Sequence, residues 1–269
     1  LAGWFVDLGG MAGASDVVSV VCGSPTTGRV FPRWSVGASS GRVQARDPNV
    51  IGIPYRYFRG DFAEVGAGPS EAYLFAALRG EHDLAEELLP VEERDDLVDQ
   101  RPKSVADVLL SRAGYPSAQA ATSAHRQSVK LDFYRALYPA MGPSEGFVAR
   151  HFPGLLSSPE ESRTLQARIR AITLELLRRM AAEVEGYPYI RLVGFFYDEV
   201  LVEGDAAMVP DVKRYLEEVK RHLRGRARDH LRNLALGFGR CEPSGACSGG
   251  RPCWVHAEWM DAFVPPRGA

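Results

Sequence analysis

Arg191-Leu-Val-Gly-Phe-Phe-Tyr-Asp-Glu-Val-Leu-Val-Glu203 is an apolar run broken by an adjacent acidic pair and then resumed. Leu192 to Phe196 and Val200 to Val202 are short β-rich segments on either side of Asp198-Glu199, a pattern that predicts a hairpin with carboxylates at its turn. Acids at the tip of a tight hairpin are held rigidly and project outward, which suits a hard divalent cation. Aspartate is also common in turns for local hydrogen-bonding reasons, so by itself the pair reads first as a plain β-turn. A metal reading needs a partner for Asp198.

On the N-terminal side of the hairpin, Pro159-Glu-Glu looks like a helix start with its acids in the first turn. Leu165, Ile169, Ile172, Leu176, Met180 and Val184 then mark a long amphipathic helix, with Arg163, Gln166, Arg168 and Arg170 off the apolar face, ended by Gly186-Tyr-Pro. A further helix is expected from about Pro210 to Leu223.

Farther upstream, Ala118 to Tyr138 carries Arg126, Lys130, Tyr134 and Tyr138 at four-residue spacing. Each step of four advances a helical face by about 40°, so these side chains form one slowly drifting stripe. Two cations followed by two aromatics could grip a triphosphate at one end and stack a base or sugar at the other. An amphipathic helix with cations lying over aromatics is the plainer reading. Ser104 to Arg112 is a shorter helix candidate, and Glu71-Ala-Tyr-Leu-Phe-Ala-Ala-Leu-Arg79 is another. Before it, Tyr55-Arg-Tyr-Phe-Arg-Gly-Asp61 is an aromatic, β-prone approach to an acid, which places Asp61 at the end of a strand. Thr27 to Pro54 is rich in Gly, Ser and Pro and carries Arg29, Arg33, Arg42, Arg46 and Asn49. Such a segment is extended and loop-like, with groups able to reach phosphates or base edges.

Composition bounds the functions available. The chain has 269 residues, 45% of them hydrophobic, which is ample for a buried core in one large or two modest domains. Lys and Arg number 32 against 34 Asp and Glu, a net charge of −2, so any nucleic-acid contact must come from local patches. Charge is segregated: Glu81 to Asp99 is acidic, and Lys220 to Arg232 is basic. Solvated helix faces are the plainer reading for both and the preferred one for the acidic run, which would repel a phosphate backbone where the basic run would attract it. No run has the length of a membrane span and Leu1 to Val6 is too short for a signal peptide, so the expectation is a soluble, cytoplasmic protein without membrane partners. A first residue that is Leu hints at a cut from something longer. Cys241, Cys247, Cys253 and His256 could hold zinc, but their spacing is wider than zinc ligands usually show, which favours free thiols.

The blocks taken together carry a resemblance. Ser40-Gly-Arg-Val-Gln-Ala-Arg-Asp-Pro-Asn-Val-Ile-Gly-Ile-Pro54, then Asp61 with Glu71-Ala-Tyr-Leu-Phe-Ala-Ala-Leu, then Arg126-x3-Lys130-x3-Tyr134-x3-Tyr138, then Tyr197-Asp-Glu199, resembles the polymerase domain of family A DNA polymerases, the DNA polymerase I and T-odd phage group. The first block looks like the family's primer–template segment and the others like its motifs A, B and C, spanning roughly Gly28 to Glu203.

The resemblance implies an α+β fold: a right-hand polymerase palm, an antiparallel sheet with helices, plus helical fingers, with thumb and exonuclease not evident. Residues 1–80 would form the N-terminal part of the palm, 81–150 the fingers and 151–269 the C-terminal palm. It implies template-directed addition of dNTPs to a primer 3′ end. Asp61 and Asp198 would hold two Mg²⁺ ions about 3.5–4 Å apart, assisted by Glu199. Arg126 and Lys130 would neutralise phosphate charge, with Lys130 a proton donor to pyrophosphate. Tyr134 would stack on the incoming nucleotide, Tyr138 would guard the template side and Glu71 would lie below the sugar. Arg42, Asn49, Gln166 and Tyr197 would contact DNA. The implied partners are primer–template DNA and dNTPs, with a processivity factor or a missing N-terminal region as further candidates. Two other readings stay open: a catalytically decayed nucleic-acid-binding relative, and a phage-type single-subunit RNA polymerase.

Overall fold

The computed structural model of the chain describes residues 4–5, 29–30, 32–35, 43–46, 60–89, 104–115, 122–144 and 146–239. Arg42, Asn49 and the Cys241, Cys247, Cys253, His256 cluster lie outside these residues. In chain order the strands are β1 (Trp4–Phe5), β2 (Arg29–Val30), β3 (Arg33–Ser35), β4 (Gln44–Arg46) and β5 (Asp61–Val65), followed by helices α1 (Ser70–Leu78), α2 (His82–Leu88), α3 (Val105–Arg112), α4 (Ser123–Leu137), α5 (Phe147–His151) and α6 (Pro159–Glu185), then β6 (Ile190–Phe196), β7 (Glu199–Gly204) and α7 (Val212–Gly239). Small antiparallel sheets and longer helices make this an α+β fold.

Two two-stranded ribbons, β1–β2 and β3–β4, accompany a three-stranded sheet of order β5-β7-β6. In that sheet Asp61 lies opposite Gly204, Ala63 opposite Val202 and Val65 opposite Val200, while Leu192 and Phe195 of β6 pair with Val202 and Val200. Directly opposed residues share a face, so Ala63, Val65, Val200 and Val202 form one apolar surface, and all four are buried. Helix α7 lies on it: a Cβ at Gly204 would stand 2.4 Å from Val212 Cγ2 and 3.1 Å from Leu216 Cδ1, so glycine permits the close approach.

The six apolar residues that mark α6 in the sequence are all buried. Ser158 caps the helix by accepting from Glu161 N, and the Glu161 carboxylate accepts from Ser158 N, a capping box that satisfies two otherwise orphan amides. Helix α7 differs from its expected length, since it continues past Leu223 to Gly239 through the basic run. Leu216, Val219, Leu223, Ala227, Leu231 and Leu234 continue the apolar spacing and are buried, each large one contributing about 1.5–3 kcal/mol by leaving water. The intervening arginines are good helix formers and leave the helix no reason to stop.

Those arginines serve as ties. Arg226 donates to Glu183 of α6 at 2.8 and 3.1 Å, His230 pairs with the same carboxylate at 2.8 Å, and the Arg226 bonds hold Glu183 below the usual carboxylate range. Arg232 donates to Leu89 O at 2.6 Å and pairs with Glu86 at 3.4 Å, while Arg112 of α3 reaches Glu87 at 3.7 Å. Within the described residues, the acidic and basic runs therefore meet partly through side chains rather than facing solvent alone. Helices α4 and α5 are joined by buried Asp132, which accepts from Val148 N at 2.7 Å and Ser144 Oγ at 3.0 Å.

Candidate functional site

The hairpin forms as expected, with one adjustment: the turn is Tyr197-Asp198, and Glu199 begins β7 opposite Phe196. Tyr197 takes a left-handed backbone, φ 57°, which is costly for a bulky side chain. Its ring stacks edge-on against Phe196 at 4.8 Å between centroids.

Beside this tip lies a cavity of about 270 Å³. Its walls come from the start of α1 (Gly68, Pro69, Ser70, Glu71), from Tyr134 on α4, from Ile169, Arg170 and Thr173 on α6, and from Tyr197 and Asp198 on the hairpin. Glu71, Tyr134, Tyr197 and Asp198, drawn from three separate sequence blocks, thus share one pocket. Tyr138 joins them at one remove, because its hydroxyl donates to the Glu71 carboxylate. The fold achieves this because the β5–β7 pairing ends at Val65 and Val200, so that the chain leaving β5 enters α1 next to the hairpin turn.

Asp61 is not part of this site. The strand expected to end at Asp61 begins there and runs to Val65, so Asp61 lies opposite Gly204 at the far end of β7. Six residues of extended chain separate Gly204 from Asp198, about 20 Å at about 3.3 Å per residue. A shared metal pair requires ions about 3.5–4 Å apart, each bound at little more than 2 Å, so Asp61 and Asp198 do not fit the two Mg²⁺ ions expected of them. Among the described residues, no group of three or more His, Cys, Asp or Glu side chains is placed to hold a metal.

The residue that leads from β5 toward the tip is Gly66. A Cβ there would lie 2.5 Å from Glu199 Cγ and 3.1 Å from its Oε1, so the Glu199 side chain fills the space over this glycine. Glu199 is pushed up to about 7, first by burial and then by the Glu64 and Asp198 carboxylates, against the opposing pull of Arg224 and Lys220 on α7. Its side chain packs over Gly66 beside the sheet, and it is not one of the residues that line the pocket.

The stripe on α4 is also divided. Tyr134 lines the pocket and Lys130 is exposed one turn earlier, but Arg126 pairs with Asp107 of α3 at 3.2 Å. The same Asp107 closes the α3 cap through Ser104. Arg126, expected to neutralise phosphate charge, thus has a guanidinium that links α4 to α3. Gln166, expected to contact DNA, donates to Leu137 O and Ser162 Oγ, both at 2.9 Å, and so braces the end of α4 against α6. One turn further along α6, Arg170 lines the pocket with its Nε buried and without a hydrogen-bond partner among the described residues. In the sequence it was one of several arginines off an apolar face, with nothing to separate it from Arg163 or Arg168.

No protein-family model matches the chain, and no curated protein matches it. Among solved structures the chain is similar to the POL domain of Pol1 from M. smegmatis in complex with DNA primer-template and dNTP, at 15% sequence identity and a TM-score of 0.49. The similarity covers 81% of this chain and 47% of that one, so the chain spans less than half of that structure's length. No helix among the described residues is long and apolar enough to cross a membrane.

Proposed function

We propose that the pocket binds a nucleotide unit of primer–template DNA or of a dNTP, and that the chain is a polymerase-like nucleic-acid-binding module that does not carry out two-metal transfer through Asp61 and Asp198. The observation that carries this reading is the convergence of Glu71, Tyr134, Tyr197 and Asp198 on one cavity. These residues belong to the blocks whose order resembles family A polymerases. Tyr134 offers a ring on which a base or sugar stacks, a contact worth about 1–3 kcal/mol. The Tyr138–Glu71 bond fixes the carboxylate at the pocket wall. Against catalysis by the expected pair stands the register, which sends Asp61 to the far end of the sheet.

Two measurements made together test this: fluorescence anisotropy of a labelled primer–template, and extension of its primer with Mg²⁺ and either dNTPs or rNTPs. The expected result is primer–template binding, weakened about ten-fold in Tyr134→Ala, without extension by the wild type. Mg²⁺-dependent extension that disappears in Asp198→Asn would restore the transferase reading. Absence of any binding to primer–template or dNTP would end the proposal.

A further inference from the structure

We infer that Arg170 is the phosphate-binding residue of the pocket, so that recognition of a nucleotide's phosphate lies on α6 and not at Arg126 on α4; this rests on the nucleotide-binding reading above.

Three observations lead there. The first is the unpartnered Arg170: its Nε is buried, makes no hydrogen bond, and the side chain forms no salt bridge among the described residues. A guanidinium keeps its charge at every accessible pH, and a buried donor without a partner carries a desolvation cost that a bound acceptor removes. The second is the fate of the rival. Arg126 is tied to Asp107, an acid already fixed by the α3 cap, so turning Arg126 toward a ligand would break an existing contact. Among the described residues Arg170 has no such contact to lose. The third is the setting. Arg170 shares its cavity with Tyr134 and Tyr197, which gives one wall for a planar ring and another for an anion.

A guanidinium presents its N–H groups as a planar fork that matches two oxygens of a phosphate, and it does so more strongly than a neutral donor. At about 270 Å³ the cavity lies just below the usual range of ligand pockets, about 300–1,000 Å³, which limits it to a single nucleotide unit. The Glu71 carboxylate, engaged by Tyr138, and Asp198 stand on the other walls, so the anion is directed to α6.

The test compares calorimetric titrations of deoxyadenosine and its 5′-monophosphate into the full chain, wild type and variants. The same DNA oligonucleotide with and without a terminal phosphate separates a strand end from a free nucleotide as the phosphate source. The wild type is expected to prefer the phosphorylated member of at least one pair by about ten-fold or more, the size of one charge-assisted contact. Arg170→Ala and Arg170→Gln should abolish that preference, so that the phosphorylated and unphosphorylated members of each pair bind with equal affinity. Arg126→Ala should keep it. Thermal melts identify any variant that has lost its fold, and Arg170→Gln keeps a polar, uncharged side chain at the position. Preference that survives in both Arg170 variants, or that disappears in a folded Arg126→Ala, overturns the assignment. Equal binding of phosphorylated and unphosphorylated members by the wild type overturns it too, while leaving nucleotide binding intact; failure to bind any of the four overturns both proposals.

Discussion

Replacing Glu199 by Gln should make the protein more stable at high pH and leave it unchanged in acid. The carboxyl is pushed up to about 7 from an ordinary value of 4.5, first by burial and then by Glu64 and Asp198. Because the folded state holds the proton more tightly than the unfolded chain, stability is greatest below the unfolded value and falls as pH rises from about 4.5 to about 7. Above that range the loss is constant. The gap, at about 1.4 kcal/mol per pH unit, sets a ceiling of about 3 kcal/mol. Glu199 is only half-buried, so solvent screening reduces the effect to about 1–2 kcal/mol. Glutamine keeps the shape and never ionises. Urea unfolding of wild type and Glu199→Gln at pH 4.5 and pH 8 should therefore give coincident midpoints in acid and a gain of about 1–2 kcal/mol for the variant at pH 8. A gain of equal size at both pH values would mean that packing or hydrogen bonding produces it. No gain at pH 8 would mean that the carboxylate is better solvated or better paired than the structure shows.

Three other substitutions test separate parts of the fold. Gly66→Ala forces a Cβ against Glu199 and should cost about 1–3 kcal/mol in urea unfolding, a cost that Glu199→Ala in the same chain should largely remove. Asp132→Ala leaves the Val148 amide without its acceptor and should cost about 1–3 kcal/mol, with faster hydrogen exchange across α5 than across α6. Tyr197→Asn, a side chain that tolerates the left-handed backbone, should raise thermal stability while weakening primer–template binding, because the ring that lines the pocket is gone. Lower stability together with unchanged binding would remove Tyr197 from the site.

Local patterns in this chain were legible and one non-local quantity was not. The α6 stripe, the hairpin and the start of α3 at Ser104 follow from spacing and capping chemistry that a few consecutive residues carry. The position of Asp61 depends on the register between β5 and β7, two strands more than 130 residues apart in the chain. Aromatic residues before Asp61 made the strand look finished where it was starting, and that displaced the acid by the whole length of the pairing. The partners of Arg126 and Gln166 were hidden for a related reason. Each has the right residue type on the right helix, but a partner elsewhere in the fold, Asp107 or Leu137 O, takes up its hydrogen-bonding groups. Arg170 became distinguishable only by having no such partner among the described residues.

The contact between Gly66 and Glu199 also constrains the order in which this site could change. An acid introduced at position 66 to face Asp198 would collide with Glu199 before it could reach any ligand, so the substitution alone destabilises the sheet and adds no chemistry. Shortening Glu199 first makes the later step tolerable, and at neutral pH that first step removes an ill-solvated charge. A carboxylate at position 66 therefore depends on a prior change at residue 199, and the two orders of mutation are not equivalent.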